Sequence, residues 1–570
     1  MARKSVIIGV AIAIIVIIIA GVASYIYLSH VRKSTVTRST KVSKPTHVVT
    51  RAPTCKVAWP SVTVQYARLF KIINTGKYYL IVKDAANHTF ILVPRGCPAP
   101  KNVSGIVIYV PVKRVVYFST TEVALLYRIA QALHKMSMLK TVVGVTWRGV
   151  WWIPYMQELL NNGTTKYVGS SWEPNIEEIL ALDPDLVVMY TGFATMVQIM
   201  NKLEKAGLKV FVDNEWLEKS YIARFEWIKA IGALYGPEAL KAAEEVFNSA
   251  VKTIEEVYDM CRGLPKVRYA WFVMYWGKFY VPGAESYVAK ALAKMGGEYL
   301  FQSATLRRTG SATVSREYID AQVAKAQLIV ISGFPPYTTS LNPYVKALPD
   351  MIKAPALRTF RVFEYHPSYW QLGYAYTGKV ILQIASLLHP EKFRGVYRTF
   401  FIPLYFTDKT MSIGGVEITW RGYYEIIRDL YGDRILIIPW GLTRQLKYFN
   451  PKVFPALATL EKDIKSVNAI VQTPVRRVVV YYTCARYIDD LGFTKSIIYT
   501  VTGSVNIGKI VSMHPDVVIL DSSHVSKNIV DELISHKIPV IVLDCSNVKS
   551  GFIISLLYNY PDLGYMLFLK

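Results

Sequence analysis

The chain has 570 residues, which is more than a single ordinary domain, and its hydrophobic content of 52% allows large buried cores. Its formal net charge is +25, but positive charge alone is a weak sign of nucleic-acid binding, and none is expected. No G-x-S-x-G, H-E-x-x-H, P-loop or paired-carboxylate motif stands out, so the composition and motifs favour no enzyme class.

The N-terminus contains the one long uncharged apolar run of the chain. This run, Ser5–Leu28, is long enough to cross a bilayer core of ~30 Å as a helix, so residues 1–28 are predicted to be a transmembrane anchor. A cleaved signal peptide is the alternative, although its apolar core is usually only ~7–15 residues long. Arg3 and Lys4 precede the run and favour a cytoplasmic N-terminus, which places the folded part outside the cell as a single-pass membrane protein.

Residues 29–60 form a basic segment rich in Ser, Thr and Pro. It contains seven Lys or Arg residues and no acidic residue, and it is predicted to be a flexible stalk because it cannot bury enough apolar surface to fold. Disulfides Cys55–Cys97 and Cys484–Cys545 are candidates if the chain is extracellular, with Cys261 then left as a buried apolar residue.

The next segments predict an α/β protein. Residues 61–110 read as short alternating strands and predict a small antiparallel β element. Residues 111–219 alternate apolar strands with helical segments, as in a doubly wound parallel lobe. Its first strand ends at Ser119, and Glu122 follows at capping-box spacing. Ligands of such lobes bind outside the carboxyl ends of the strands.

A long amphipathic helix separates this lobe from a second alternation. Residues 220–262 are a helical connection in which Leu240, Phe247 and Ile254 belong to one apolar stripe. Residues 263–405 repeat the pattern of strand and helix and predict a second α/β lobe. The two lobes joined by a rigid helix predict a clamp with a cleft between them.

These segments resemble a known family, the substrate-binding proteins of ABC importers for iron-siderophores, haem and cobalamin. The resemblance covers about 112–405 and rests on "NIEEILALDPDLVV", "GKFYVPGAESYVAKALAKMGG", "TVSREYIDAQVAKAQLIVI" and "YWQLGYAYTGKVILQIASLLHPEKF". It implies that the protein captures a metal chelate outside the membrane and delivers it to a permease. Bacterial members are commonly lipoproteins, but no cysteine closes the apolar run here, so a transmembrane anchor would replace the lipid. A surface protein with a purely structural or interaction role is the alternative.

The cleft is expected to be lined by residues at strand ends. Aromatic walls with a few cationic groups suit a flat, partly anionic chelate. The candidates are Thr120, Thr121, Trp147, Arg148, Tyr190, Trp216, Trp276, Tyr280, Arg307, Arg308, Phe334, Tyr337, His366, Tyr369 and Trp370.

A protein-held cofactor or bare metal is not expected. Histidine is scarce, and a three-histidine site would need His134, His366 and His389 to converge. An iron–sulfur cluster would need several cysteines in the clamp, where only Cys261 occurs. The prediction is therefore a binding protein without catalytic residues.

The C-terminal region echoes the first lobe. After a connecting region at 406–473, "PVRRVVVYYTC" matches "PVKRVVYFSTT", and Asn506 precedes Asp516 by the same spacing as Asn175 precedes Asp185. Residues 474–570 are therefore predicted to be a partial repeat of the first lobe. In the resembled family an acidic residue on each lobe contacts permease arginines, and local similarity assigns this role to Glu177 and Glu317. In the second copy Gly508 occupies the position of Glu177.

Overall fold

The structure, a computed structural model, describes residues 55–333, 340–446 and 456–570. The predicted anchor, almost all of the stalk, and Phe334 and Tyr337 lie outside these ranges. Within them, no helix combines the length and apolar character that a bilayer crossing needs. The described residues combine parallel sheets, whose strands alternate with helices, and largely antiparallel sheets, which confirms the predicted α/β class.

A four-stranded N-terminal sheet has the order β1-β2-β3-β4. The pairs β1–β2 and β2–β3 are antiparallel, but β3 and β4 are parallel, which corrects the expectation of a purely antiparallel element. The segment 95–105 carries the chain back along the sheet and is held to residue 55 by the disulfide Cys55–Cys97, with a Cα–Cα distance of 5.6 Å. The strands are β1 (Lys71–Asn74), β2 (Leu80–Lys83), β3 (Thr89–Pro94) and β4 (Ile106–Val110).

The first parallel sheet follows, with the order β11-β10-β5-β6-β7. Its central strands are fully buried apolar runs, as expected for a sheet covered by helices on both faces. The strands are β5 (Val115–Tyr117), β6 (Val142–Val145), β7 (Lys166–Tyr167), the hairpin β8 (Gly169–Ser170) and β9 (Glu173–Pro174), β10 (Leu186–Met189) and β11 (Val210–Val212). The helices are Thr120–Ala132, Pro154–Asn161, Ile176–Ala181 and Ala194–Lys205.

Two buried glutamates fix the segment that leads into the N-terminal sheet. The Glu226 carboxylate accepts hydrogen bonds from the backbone N–H groups of residues 65, 66 and 67 at 2.7–2.8 Å. The Glu218 carboxylate accepts those of Arg68 and Leu69 at 2.9 and 3.0 Å. Five consecutive amides are thus satisfied by two glutamate side chains rather than by a strand.

The helical connection leads into a seven-stranded mixed sheet. It comprises the helices Tyr221–Phe225, Ile228–Leu234 and Pro237–Met260, and the last of these buries Leu240, Phe247, Ile254 and Val257. The sheet has the order β15-β13-β12-β16-β17-β18, with β14 beside β12. Its strands are β12 (Val267–Tyr275), β13 (Lys278–Pro282), β14 (Gly297–Tyr299), β15 (Ser311–Val314), β16 (Leu328–Ile331), β17 (Val362–Tyr365) and β18 (Phe401–Pro403). Its helices are Tyr287–Lys294, Arg316–Val323, Asn342–Ala347, Pro355–Arg358 and Thr377–Leu388.

Residues 406–473, which the sequence analysis describes only as a connecting region, contain a five-stranded sheet of order β19-β20-β21-β22-β23. Its strands are β19 (Thr407–Ile413), β20 (Val416–Arg421), β21 (Glu425–Arg428), β22 (Arg434–Pro439) and β23 (Ala469–Thr473), with helices Leu442–Gln445 and Ala456–Ile464. The last pair, β22–β23, is parallel, like β3–β4.

A four-stranded parallel sheet ends the chain, with the order β25-β24-β26-β27. Its strands are β24 (Val478–Tyr481), β25 (Ile497–Val501), β26 (Val517–Asp521) and β27 (Val540–Leu543). Its helices are Tyr482–Asp490, Ile507–Met513, Lys527–Ser535, Ser550–Leu556 and Pro561–Gly564. The disulfide Cys484–Cys545 links the helix after β24 to the end of β27, with a Cα–Cα distance of 5.1 Å.

Several local contacts occur twice, once around the first parallel sheet and once around the C-terminal sheet. Asp84 accepts the N–H of Val212 at 2.8 Å, and Asp429 accepts that of Val542 at 3.2 Å. Three further contacts are matched. The N–H groups of Lys113 and Arg114 donate to Asp185, and those of Arg476 and Arg477 donate to Asp516. Arg114 donates to the Leu182 carbonyl as Arg477 does to that of Met513, and the hydroxyls of Thr141 and Tyr235 pair as those of Ser496 and Tyr558 do.

The C-terminal sheet is bound to the mixed sheet through a buried ion pair. Arg398 and Asp562 are both fully buried, and their two charged groups meet in two hydrogen bonds of 2.6 and 3.1 Å. The Arg398 guanidinium also lies 3.7 Å from the centre of the Tyr560 ring and donates to Ser386 Oγ. This contact joins the helix Thr377–Leu388 to the end of the chain.

Candidate functional site

A cavity of about 700 Å³ lies between the first parallel sheet and the mixed sheet. On one side it is lined by residues that follow β5, β10 and β11 at their carboxyl ends. The chain leaves β5 toward β6 on one side of the sheet and leaves β10 toward β11 on the other, so β5 and β10 flank a switch point. Ligands of open α/β sheets bind at such points. The cavity size falls in the usual range for small-molecule sites.

Aromatic side chains form most of the cavity wall. Phe193 and Trp216 stack at 5.4 Å with an interplanar angle of 8° on the side of the first parallel sheet. Their counterparts on the side of the mixed sheet include Trp271, Tyr287 and Tyr365. Large flat faces on both sides suit a flat ligand.

Three buried carboxyl groups lie in the wall of the cavity that belongs to the first parallel sheet. Glu122 belongs to the first turn of the helix after β5, and Asp213 and Glu215 come directly after β11. Each is at most 5% exposed. Arg224 is the one cationic residue among the described residues that line the cavity, and its guanidinium contacts Glu215 Oε2 at 2.6 Å.

Burial changes the ionisation of these acids. Loss of solvation, together with the nearby Glu215 charge, raises the pKa of Glu122 to about 8. Burial and the charges of Glu122 and Glu215 hold the pKa of Asp213 well above its ordinary value. Burial also raises the pKa of Glu215, although Arg224 opposes this effect. Burial and mutual repulsion therefore disfavour full ionisation of the three acids.

Two polar atoms of the cavity lining have no hydrogen-bond partner among the described residues. These are Asp213 Oδ2 and Trp216 Nε1, both buried. Asp213 Oδ1, in contrast, accepts the N–H of Glu215 at 3.0 Å. Unpaired buried polar atoms are uncommon in folded proteins and each calls for a reason. A ligand bound in the cavity would explain both unpaired atoms.

Seven of the predicted ligand-binding residues line this cavity. They come from both sheets and are Thr120, Thr121, Trp147, Tyr190, Trp216, Tyr280 and Trp370. Tyr190 donates to Ser171 Oγ at 3.1 Å, and Trp370 donates to the carbonyl of Gly333.

The predicted cationic residues lie outside the cavity lining, which differs from the expectation of a few cationic groups in the cleft. Arg148 lies over the Tyr167 ring at 5.7 Å, beside a separate surface depression. Arg307 and Arg308 are exposed in the turn before β15, and the Arg308 carbonyl accepts the N–H of Glu285. Solvation of the three guanidinium groups explains their position, because an unpaired charge is costly to bury.

Three predicted aromatic or histidine residues also lie outside the cavity lining. Trp276 is 83% exposed at the β12–β13 turn. His366 is fully buried between Ser368 Oγ and the Trp440 carbonyl, and burial lowers its pKa to about 4. Tyr369 stacks on Tyr365 at 3.8 Å behind the wall.

The acidic part of the site was not predicted from the sequence. Glu122 has capping-box spacing, but Ser119 caps the helix through the Thr121 N–H, while Glu122 lines the cavity. Asp213, Glu215 and Arg224 were not predicted. The signal was present in "VDNEW", where two acids directly follow a buried strand, at the carboxyl edge where ligands bind.

The described residues contain no group of three or more His, Cys, Asp or Glu side chains arranged to hold a metal ion.

The two predicted permease contacts occupy equivalent positions on their helices. Glu177 and Glu317 are both exposed second residues of a helix, after the caps Asn175 and Ser315. Gly508 occupies the same position after the cap Asn506.

Comparisons with known proteins give one family match and several similar proteins. A sequence profile of the family described as "periplasmic binding protein" matches residues 123–369. An uncharacterized lipoprotein of Methanocaldococcus jannaschii is 32% identical over 59% of this chain and 80% of its own length. Among solved structures, a periplasmic haem-binding protein from Pseudomonas aeruginosa is 17% identical with a TM-score of 0.37, covering 49% of this chain and 93% of its own. A periplasmic vitamin B12 binding protein of Vibrio cholerae is 16% identical with a TM-score of 0.36, covering 49% of this chain and 96% of its own.

Proposed function

This chain belongs to the periplasmic binding protein family, whose members bind solutes and are not enzymes, and on that premise we propose that it captures a metal chelate outside the membrane for an ABC importer. The observation that carries the proposal is the cavity of about 700 Å³ with aromatic walls on both sides. In this proposal the two sheets belong to two lobes joined by the helix Pro237–Met260, and the chelate lies between the lobes.

Calorimetric titration with haem, cobalamins and ferric siderophores tests the proposal. A chelate that binds only the folded protein should raise its melting temperature, and no product should appear. Binding should be lost when the cavity is filled, for example by Thr146→Trp, because Thr146 lines it. Absence of binding to every chelate would favour the alternative, a structural or interaction protein built from the same fold.

Delivery to a permease is proposed to depend on Glu177 and Glu317. Both are exposed and both follow a helix cap in the same way, which supports matched contacts from the two lobes. Glu177→Lys and Glu317→Lys are expected to abolish uptake in a transport assay and to leave chelate affinity unchanged. The exposed Glu256→Lys on the long helix is the matched control and should leave uptake intact. Normal uptake by both reversed variants would contradict this role.

We also propose that the chain is tethered by residues 1–28 with the folded part outside the cell. The apolar run Ser5–Leu28 supports the anchor. The two disulfides support an oxidising compartment. Fractionation should leave the intact protein in membranes with its folded part accessible to external protease, whereas a soluble product beginning near Ser24 would contradict the anchor.

The region from β19 to the end of the chain is proposed to be a copy of the N-terminal sheet together with the first lobe. Tyr78–Pro94 and Tyr423–Pro439 align without a gap, from "YYLIVKD" beside "YYEIIRD" to a closing proline. The matched contacts of Asp84 and Asp429 support this alignment. The copy is thus longer than 474–570, and removal of residues from Pro474 onward would expose the core that it shares with β20–β22. Point variants are therefore better tests of its accessory role than deletion.

A further inference from the structure

We propose that the solute presents a positively charged group to the carboxyl groups of Glu122, Asp213 and Glu215 in the cavity. The inference rests on the proposed function and identifies the class of chelate that the cavity accepts. The described lining has three acids and one guanidinium, and that guanidinium is already paired with Glu215. A polyanionic ferric catecholate or a haem that turns its propionates inward would meet like charge. A cation would compensate the acids.

The aromatic walls also favour a positively charged ligand group. The negative faces of Trp and Tyr rings attract cations, and this attraction strengthens where water is excluded. The Arg224 guanidinium shows that the site already accommodates such contacts, since it lies 4.1 Å from the Tyr287 ring centre and 5.1 Å from that of Tyr374. The unpaired Asp213 Oδ2 is an acceptor that a cationic donor would satisfy.

The C-terminal copy provides an internal control for the role of these acids. Counting from the matched strands β5 and β24, Thr121 and Glu122 correspond to Cys484 and Ala485. Counting from Val212 and Val542, which make the matched contacts with Asp84 and Asp429, Asp213 and Glu215 correspond to Leu543 and Cys545. The three acidic positions are therefore alanine, leucine and a disulfide-bonded cysteine in the copy.

The comparison separates folding from ligand binding. The copy keeps four of the five strands, the Asn506 cap and the backbone contacts to Asp516 without a carboxyl group at any of these three positions. The nearest acid, Asp544, is only half-buried and accepts the N–H of Ser546 at 3.0 Å. The acids are thus not required to build this fold, and burying them costs stability because ionised carboxylates lose their hydration. Their presence only in the lobe that faces the cavity assigns them to the ligand.

Pairs of structurally similar chelates that differ in charge test the proposal. Ferrioxamine B carries a free ammonium group, and its N-acetyl derivative is the same iron chelate with that group capped; aquacobalamin and cyanocobalamin are a second pair, charged and neutral. Calorimetry on the full chain should give the cationic member of a bound pair at least tenfold higher affinity. In the variant Glu122→Gln/Asp213→Asn the preference should fall below about threefold, because the compensating charge is removed.

A second readout reports the charge directly. A cation that ionises the acids should release protons, which titrations in buffers of different ionisation enthalpy measure, and the double variant should release fewer. Glu425→Gln is the matched control, because Glu425 is a buried acid outside the cavity whose pKa burial raises to about 8. This control should retain the preference for the cationic member, and the melting temperature of each variant should establish that it is folded.

The outcomes separate this inference from the proposed function. Equal affinity for both members, tighter binding of the neutral or an anionic chelate, or a preference that survives the double variant would overturn the cationic site while the chelate function stands. If no chelate binds, the chelate function fails, and thermal shifts with tetraethylammonium and with methanesulfonate decide the charge. Stabilisation by the cation alone would support the site, and no stabilisation by the cation would overturn it.

Discussion

Replacing Asp562 by asparagine should destabilise the whole described unit, although the residue lies outside the cavity. Arg398 and Asp562 are fully buried and form two hydrogen bonds, so the variant leaves the guanidinium charged and uncompensated. Truncating one member of a buried ion pair costs about 3–5 kcal/mol. The Tyr560 ring and Ser386 Oγ would still contact the guanidinium, but neither carries a formal negative charge.

The size of the effect on the melting temperature follows from the size of the unit. Unfolding entropy of about 2.1 cal/mol/K per residue gives roughly 1 °C per kcal/mol for a cooperative unit as long as Cys55–Lys570, so about 3–5 °C is expected. Differential scanning calorimetry measures the shift, and calorimetric titration should show unchanged ligand affinity. The paired replacement Arg398→Met/Asp562→Leu should recover most of the loss, because no buried charge remains unpaired.

The exposed pair Lys527–Asp531 provides the control. Its nitrogen and oxygen lie 3.0 Å apart at the surface, so Asp531→Asn should cost less than about 1 kcal/mol. An Asp562→Asn protein that melts with the wild type would refute the reasoning. So would an early transition confined to the C-terminal sheet, because the variant would then destabilise that sheet alone and not the whole unit.

Three further perturbations follow from the structure. Burial raises the pKa of Glu122 to about 8, so the unliganded protein should lose stability as pH rises from about 4.5 to about 8. Glu122→Gln should reduce this loss of stability, and a melting temperature with the same pH dependence in both proteins would contradict the prediction. Replacing Cys484 and Cys545 by alanine should cost about 4 kcal/mol in denaturant unfolding for a separation of 61 residues, and an unchanged midpoint would contradict that estimate. Glu226→Gln should weaken the hydrogen bonds from the amides of residues 65–67 and so speed proteolytic cleavage there, whereas the exposed control Glu245→Gln should not.

The fold was largely predictable because burial follows sequence periodicity. The apolar runs at β5, β10 and β24 are fully buried, and the stripe of Leu240, Phe247 and Ile254 faces the core. Whether two strands pair in parallel or antiparallel is not determined by their local sequence patterns. The strands β3 and β4 have similar apolar patterns in either orientation, and only the path of residues 95–105 makes them parallel.

The site was predictable in part, on both sides of the cavity. Strand ends identified Thr120, Tyr190 and Trp216, because the carboxyl edge of a parallel sheet is fixed by chain direction. The sequence does not show which loop residues turn toward the cavity, so the solvated Arg307 was a candidate and the buried Asp213 was not. Loop residues are positioned by tertiary contacts that leave no periodic signal.

The disulfide between Cys55 and Cys97 has a mechanical consequence. A pulling force applied to the chain before residue 55 would pass through the sulfur–sulfur bond to Cys97 and from there into the loop before β4. The strands β1, β2 and β3 lie within the closed loop and would bear none of that tension, nor would the amides held by Glu218 and Glu226. A force on this end of the chain, from flow or from a moving membrane, would therefore not separate the strands of the N-terminal sheet. It would also not be transmitted through Gln65–Leu69 to the wall of the cavity.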